Sequence, residues 1–357
     1  MLAPMTQPEH AMAAARPEGE LPLLTTVETA DGTRIPVRGL RAAAGVSCAA
    51  PSASHGATGE AAPPAESAQS VGSAATAATA ELAAPAAGAA APVVLVLPAM
   101  GTPVRVYRHF ARELHAAGLG VVTADLRGQG ESTPRVTDPA ARDHGFRTLL
   151  EQDFVAVLQA VRAEFGSAPP LFLLGHSLGG QLALLYAAAE PGPAVDGVVL
   201  VAAGSVWYRA YGARCAPGLL AGTTLMAATA TLLGRWPGTR LGFGGNQTKS
   251  VMRDWARQGR TGRYRPAGST VDYESALRAL AVPVLAVSVE QDTYAPASAV
   301  THLLSKAPHA PVTRRHYTQQ EAGARLDHFA WTRAGGPLAR GVAEWAAALP
   351  GLGRDSA

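Results

Sequence analysis

The sequence predicts an α/β fold, a mostly parallel, doubly wound sheet with a helical cap inserted over it. Three observations carry that reading. Short, continuous apolar runs alternate with longer segments whose apolar residues recur at helical spacing, the pattern of parallel strands buried on both faces and joined by crossover helices. One run, at residues 171–176, enters a Gly-x-Ser-x-Gly turn and leaves it as an Ala/Leu-rich helical segment. The alternation then stops between residues 204 and 280, where helical stretches and Gly/Pro-rich joints replace it.

Taken in order, residues 1–20 read as a disordered tail. Met1 to His10 shows no basic segment followed by an apolar run, so no secretory signal is expected. Residues 21–40 read as a β-hairpin of the core, because Asp31-Gly32 sits between two alternating, β-rich stretches. Residues 41–91 are dominated by Ala, Pro, Ser, Gly and Thr, a composition that cannot bury a core, and are expected to be a disordered insertion. The first part of the core, 92–203, carries predicted strands at 92–97, 120–124, 171–176 and 197–202. Helices are expected at about 104–117, 146–165 and 178–190. Residues 204–280 form the predicted cap. The second part of the core, 281–357, resumes with a strand at 282–289, a helix at 297–305, a strand at 312–317 and a helix at 333–349.

Composition narrows the function. The net charge of +3 is small and its basic residues, almost all Arg, are not clustered along one face, which argues against nucleic acid as a partner. Cys48 and Cys215 make no disulfide framework, and a cytoplasmic location is expected. No His/Cys/carboxylate group has metal-ligand spacing, so neither a metal nor another cofactor is expected. The uncharged stretch 215–234 is long enough to raise the question of a membrane span. Pro217, Gly218, Gly222 and several threonines interrupt it, which favours a buried or lid helix and no stable membrane insertion. In the cap, Arg253, Arg257, Arg260, Arg263 and Arg265 fit either a solvated helix face or an anion site. Leu219, Leu220, Leu225, Met226, Leu232, Leu233 and Trp236 fit either a pocket lining or the packing of the cap on the sheet.

The turn at 175–179 is the most informative stretch. In a strand-to-helix elbow this tight, a β-carbon at Gly175 or Gly179 would collide with backbone, Ser177 is held strained with its hydroxyl raised, and the Leu178 amide points at an oxyanion. A plain Gly/Ser loop before a core helix would explain the glycines, but not a strand, turn and helix centred on a serine. Three further motifs accompany the elbow: Asp125-x-Arg127-Gly128-x-Gly130-x-Ser132, Asp292 with Pro296 behind it after the penultimate strand, and Asp327-His328-Phe329 after the last.

On these four motifs the stretch from Val93 onward resembles the α/β-hydrolase superfamily, in particular its monoglyceride lipase and serine aminopeptidase-like branch. The resemblance implies an α/β-hydrolase fold and a Ser-Asp-His chain order, with Ser177 as nucleophile, His328 as base and Asp292 as the carboxylate that orients it. Glu290 is the nearest rival to Asp292 and His316 the rival to His328; Asp327 reads as shaping the histidine loop. The implied oxyanion donors are the backbone amides of Met100 and Leu178. Many relatives carry His-Gly where this chain has Pro98-Ala99, but a backbone donor does not depend on its side chain. The implied function is a serine hydrolase acting on a carboxylic ester or related acyl bond of a small, apolar substrate. An acyltransferase or thioesterase using the same acyl-serine is the alternative, and a non-catalytic ligand-binding protein on this fold is a third.

Overall fold

A computed structural model describes residues 20–42 and 90–350. The expected tail at 1–20 and insertion at 41–91 therefore lie, but for their edges, outside the described residues. Along the chain come β1 (Leu23–Glu28), β2 (Arg34–Leu40), β3 (Val93–Leu97), α1 (Arg108–Ala116), β4 (Gly120–Ala124), α2 (Phe146–Thr148), α3 (Phe154–Phe165), β5 (Leu171–His176), α4 (Leu178–Ala189) and β6 (Gly197–Val201). The segment over the sheet holds α5 (Gly212–Leu233), β7 (Arg235–Pro237), α6 (Gly238–Leu241), β8 (Asn246–Thr248), α7 (Lys249–Thr261) and α8 (Tyr273–Ala279). Then β9 (Val284–Val289), α9 (Ala297–Leu304), β10 (Val312–Tyr317), α10 (Gln319–Ala322) and α11 (Gly336–Ala347) complete it.

Eight strands form one sheet in the order β1-β2-β4-β3-β5-β6-β9-β10. The hairpin pairs antiparallel with itself and with β4, and every pairing from β4 to β10 is parallel. Every residue of β3 through β6 is buried, which is why these strands read as unbroken apolar runs. Their side chains alternate between two cores: Leu95 and Leu173 face the side of α3 and α4, Val96 and Phe172 the side of α1 and α11. The order reverses around β3, with β4 on one side and β5 on the other. Such a switch point opens a crevice at the carboxyl ends of β3 and β5.

The helix expected at 146–165 is widened in the middle. Residues Leu149–Asp153 form a π-turn between α2 and α3, burying Leu149, Leu150 and Asp153 together. Asp153 thereby reaches Arg127, whose Nε lies 2.9 Å from its Oδ2. The same guanidinium donates to Thr33 Oγ1 at 2.6 Å and pairs with Asp31, so it ties the hairpin turn to the sheet. Burial pushes the Asp153 carboxyl up and the Arg127 partner pulls it down.

In the cap, α7 buries Val251, Met252 and Trp255 against the core, while Arg253 and Arg260 stand on its exposed face. The helix Tyr208–Leu233 is long and apolar enough to cross a membrane, and is largely exposed rather than buried. Leu225, Leu232 and Leu233 are exposed and do not pack the cap down, Leu232 bordering a surface groove against α7; Trp236 is buried.

Replacing Arg127 by Leu leaves Asp153 buried without its counter-charge. A loss of about 3–5 kcal/mol in unfolding free energy is expected from urea titration, against under about 1 kcal/mol for Arg41→Leu, whose ion pair is exposed.

Candidate active site

Ser177 sits between β5 and α4 with φ 52° and ψ −116°, a conformation that L-residues rarely adopt. Three glycines make the approach possible. A β-carbon on Gly179 would lie 2.4 Å from the Leu97 carbonyl oxygen, and one on Gly175 would lie 2.3 Å from the backbone of Gly180. Gly180 was not singled out in the sequence, yet a β-carbon there would lie 2.6 Å from that of Ala203. The Gly-Gly pair following Leu178 was the available signal.

Asp292 follows β9 and is oriented by its own turn, accepting from the amides of Tyr294 and Ala295 at 2.8 and 2.9 Å. Its carboxylate meets His328 Nδ1 at 2.9 Å, both residues being buried. That contact places the proton on Nδ1 and leaves Nε2 free to take one. Asp327 accepts from the amides of Phe329 and Ala330 at 2.8 and 2.7 Å, turning the chain at the histidine. The rivals are engaged elsewhere. Glu290 accepts from the Gln319 amide at 2.7 Å, which holds its carboxyl below the usual range, and His316 Nδ1 lies 2.9 Å from Ser288 Oγ on the edge of the sheet.

Ser177, His328, Met100 and Leu178 line one cavity of about 570 Å³ beneath α5. No hydrogen bond to protein ties the amides of Met100 and Leu178 among the described residues. Pro98-Ala99-Met100-Gly101 forms a turn closed by the Thr102 amide on the Ala99 carbonyl, with Gly101 at φ 67°. The segment between β7 and β8 leans directly on this turn: a β-carbon on Gly101 would lie 2.2 Å from the Gly244 carbonyl oxygen. From the cap, Leu219, Met226, Phe243 and Trp255 add apolar wall. Arg253, Arg257 and Arg260 lie outside the cavity, along a shallow groove against α5. Gly130 gives room to the buried Asp125 carboxyl, which accepts from the Val104 and Glu131 amides and which burial pushes up to about 6.

A buried polar chain supports the turn from below. The Ala99 amide donates to Tyr107 Oη at 2.9 Å, and Tyr107 Oη lies 2.7 Å from His176 Nδ1. Burial holds the pKa of His176 well below the usual imidazole value. Its ring lies 4.7 Å from that of His328, tilted by 48°, so the turn after β3 and the histidine loop share one support.

Residues 88–261 match the family model described as serine aminopeptidase, S33. None of the curated proteins matches the chain by sequence. Among solved structures, a soluble variant of monoglyceride lipase from Saccharomyces cerevisiae in complex with a substrate analog is 13% identical, with 93% of this chain and 98% of that chain covered at a TM-score of 0.56. The DcsB complex with its substrate analogue is 14% identical, with 90% and 96% covered at 0.52. At such identities the shared property is the fold.

Tyr107→Phe keeps the ring and strips two buried groups, the Ala99 amide and His176 Nδ1, of their partner. Unfolding free energy should fall by about 1–3 kcal/mol in urea titration. A change below the error of that measurement would mean the chain supports nothing.

Proposed function

Because the chain belongs to the α/β-hydrolase family, we propose that it is a serine hydrolase cleaving a carboxylic ester or related acyl bond through an acyl-serine intermediate. The observation that supports this most is the Asp292–His328 contact at 2.9 Å, opening onto the cavity that holds a strained Ser177. A serine hydroxyl attacks poorly near neutral pH unless a base takes its proton. Ser177 Oγ bonds to the carbonyl carbon as its proton passes to His328 Nε2. The imidazolium that results is stabilised by Asp292. Negative charge gathering on the carbonyl oxygen meets the amides of Met100 and Leu178, which need no reorganisation to receive it. His328 returns the proton to the leaving oxygen as the tetrahedral adduct collapses. Water then attacks the acyl-serine by the same path in reverse.

A protein that only bound a ligand would gain nothing from the strained backbone at Ser177, which costs about 1–3 kcal/mol. The apolar wall of Leu219, Met226, Phe243 and Trp255 suits an acyl or alkyl chain. We read α5 as a lid over that wall rather than a membrane span, with Pro217, Gly218 and Gly222 in its first half, and the protein as cytoplasmic. Whether water or an alcohol, amine or thiol accepts the acyl group is decided by competition between them in one assay.

A fluorophosphonate probe should label the wild-type protein and spare Ser177→Ala; equal labelling of both removes Ser177 from the role of nucleophile. With a short-chain nitrophenyl ester, His328→Ala should lose on the order of a thousandfold or more in kcat. Asp292→Asn should also lose heavily while its urea midpoint moves little, since the amide keeps the shape and favours the wrong tautomer. His316→Ala should turn over like the wild type. Loss of activity there, with His328→Ala still active, would reassign the base.

A further inference from the structure

Within the cavity, one polar side chain is held by only one of its two ends. Gln181 lies on α4 one turn beyond Ser177, about 6 Å along the helix axis, and its side chain is buried. Tyr264 Oη stands 3.0 Å from its Oε1, and the tyrosine is buried as well. A buried hydroxyl must donate, and Oε1 is the acceptor within its reach. The amide nitrogen is thereby turned the other way. It has no hydrogen-bond partner among the described residues, yet it is not among the sealed, unpartnered atoms, and Gln181 lines the cavity together with Ser177. The cavity is lined by the apolar Leu178, Leu219, Met226 and Trp255 and by the polar Tyr211, Arg214, Thr223 and Tyr294, and among the described residues none is hydrogen-bonded to this nitrogen.

Two N–H donors are thus fixed in the cavity, one helical turn beyond the nucleophile, with no protein acceptor hydrogen-bonded to them among the described residues. When an alkyl chain expels water from this space, those donors lose their partners, whereas a substrate with an oxygen at that place restores one. We propose that Gln181 is a specificity-determining residue whose amide nitrogen donates to a second acceptor oxygen on the substrate. The substrate class is a carboxylic ester carrying an ether, oxo or hydroxyl oxygen a few bonds from the reacting carbonyl. The amide is neutral, so it selects a neutral oxygen over a methylene rather than an anion over a neutral group. This rests on the serine-hydrolase reading of the same cavity.

The test compares nitrophenyl esters of hexanoic, 3-ethoxypropanoic and 4-methoxybutanoic acids, chains of equal length in which an ether oxygen replaces one methylene. Each kcat/KM is divided by the ester's own rate in buffer. The wild type should favour at least one ether ester over hexanoate by about tenfold. Gln181→Glu keeps an acceptor for Tyr264 but puts oxygen where the donor was, and the pair Gln181→Leu with Tyr264→Phe removes both partners, so that no buried hydroxyl is orphaned. Both should lose the preference while hexanoate turnover stays within about threefold of wild type. No preference in the wild type, or an equal fall on all three esters in both variants, overturns the proposal. Binding of the corresponding methyl esters to Ser177→Ala, followed by tryptophan fluorescence, scores recognition apart from turnover. Tighter binding of an ether ester with no turnover by the wild type would overturn only the hydrolase reading. Equal binding of all three with normal turnover would overturn only the role of Gln181.

Discussion

The site depends on how closely α4 approaches the ends of β3 and β5. Side chains cannot occupy the space between them: Gly175 faces the backbone of Gly180, and Gly179 faces the carbonyls of Leu97 and Pro98. Because the three backbones meet without spacers, the start of α4 is fixed relative to the turn after β3 to within the play of a van der Waals contact. Everything the proposed chemistry needs follows from that. Leu178 and Met100 line one space, and Ser177 lines it with them in a conformation strained by the same turn.

Around this contact the buried polar groups work in chains rather than in pairs. Arg127 joins the hairpin, the π-turn and the sheet through Asp31, Thr33 and Asp153. Tyr107 and His176 join the turn after β3 to the neighbouring ring of His328. Each chain crosses between segments far apart in sequence, so neither forms before its segments have packed. In return they specify one arrangement where apolar packing alone would tolerate several.

The sheet was legible because strands buried on both faces leave unbroken apolar runs, as at 93–97 and 171–174, and because crossover helices keep their period. Ser177 was legible from its local turn, and Asp292 and His328 only through the resemblance, since nothing in their own neighbourhoods announces a contact across 36 positions. Other features left no pattern to read. The π-turn at Leu149–Asp153 hides inside a good helical sequence, and β7 and β8, three residues each, are too short to show alternation. Gln181 reads as one polar residue in an apolar helix; only the arrival of Tyr264 from the far side of the cap gives its two ends different fates. The five Arg residues at 253–265 left two readings open in the sequence, and three of them, Arg253, Arg257 and Arg260, border a groove apart from the cavity.

The segment joining β7 to β8 meets the turn after β3 backbone against backbone, Gly244 and Gly245 on Gly101, and Gln129 Nε2 ties it further through the Asn246 carbonyl at 2.7 Å. A contact of that kind has no side chain to swing aside. The glycine end of the cap is accordingly pinned to the turn after β3, whereas α5 is exposed along its outer face. Leu219, Met226 and Arg214 of that helix line the cavity with Ser177, so the wall it contributes carries a cation beside its apolar side chains.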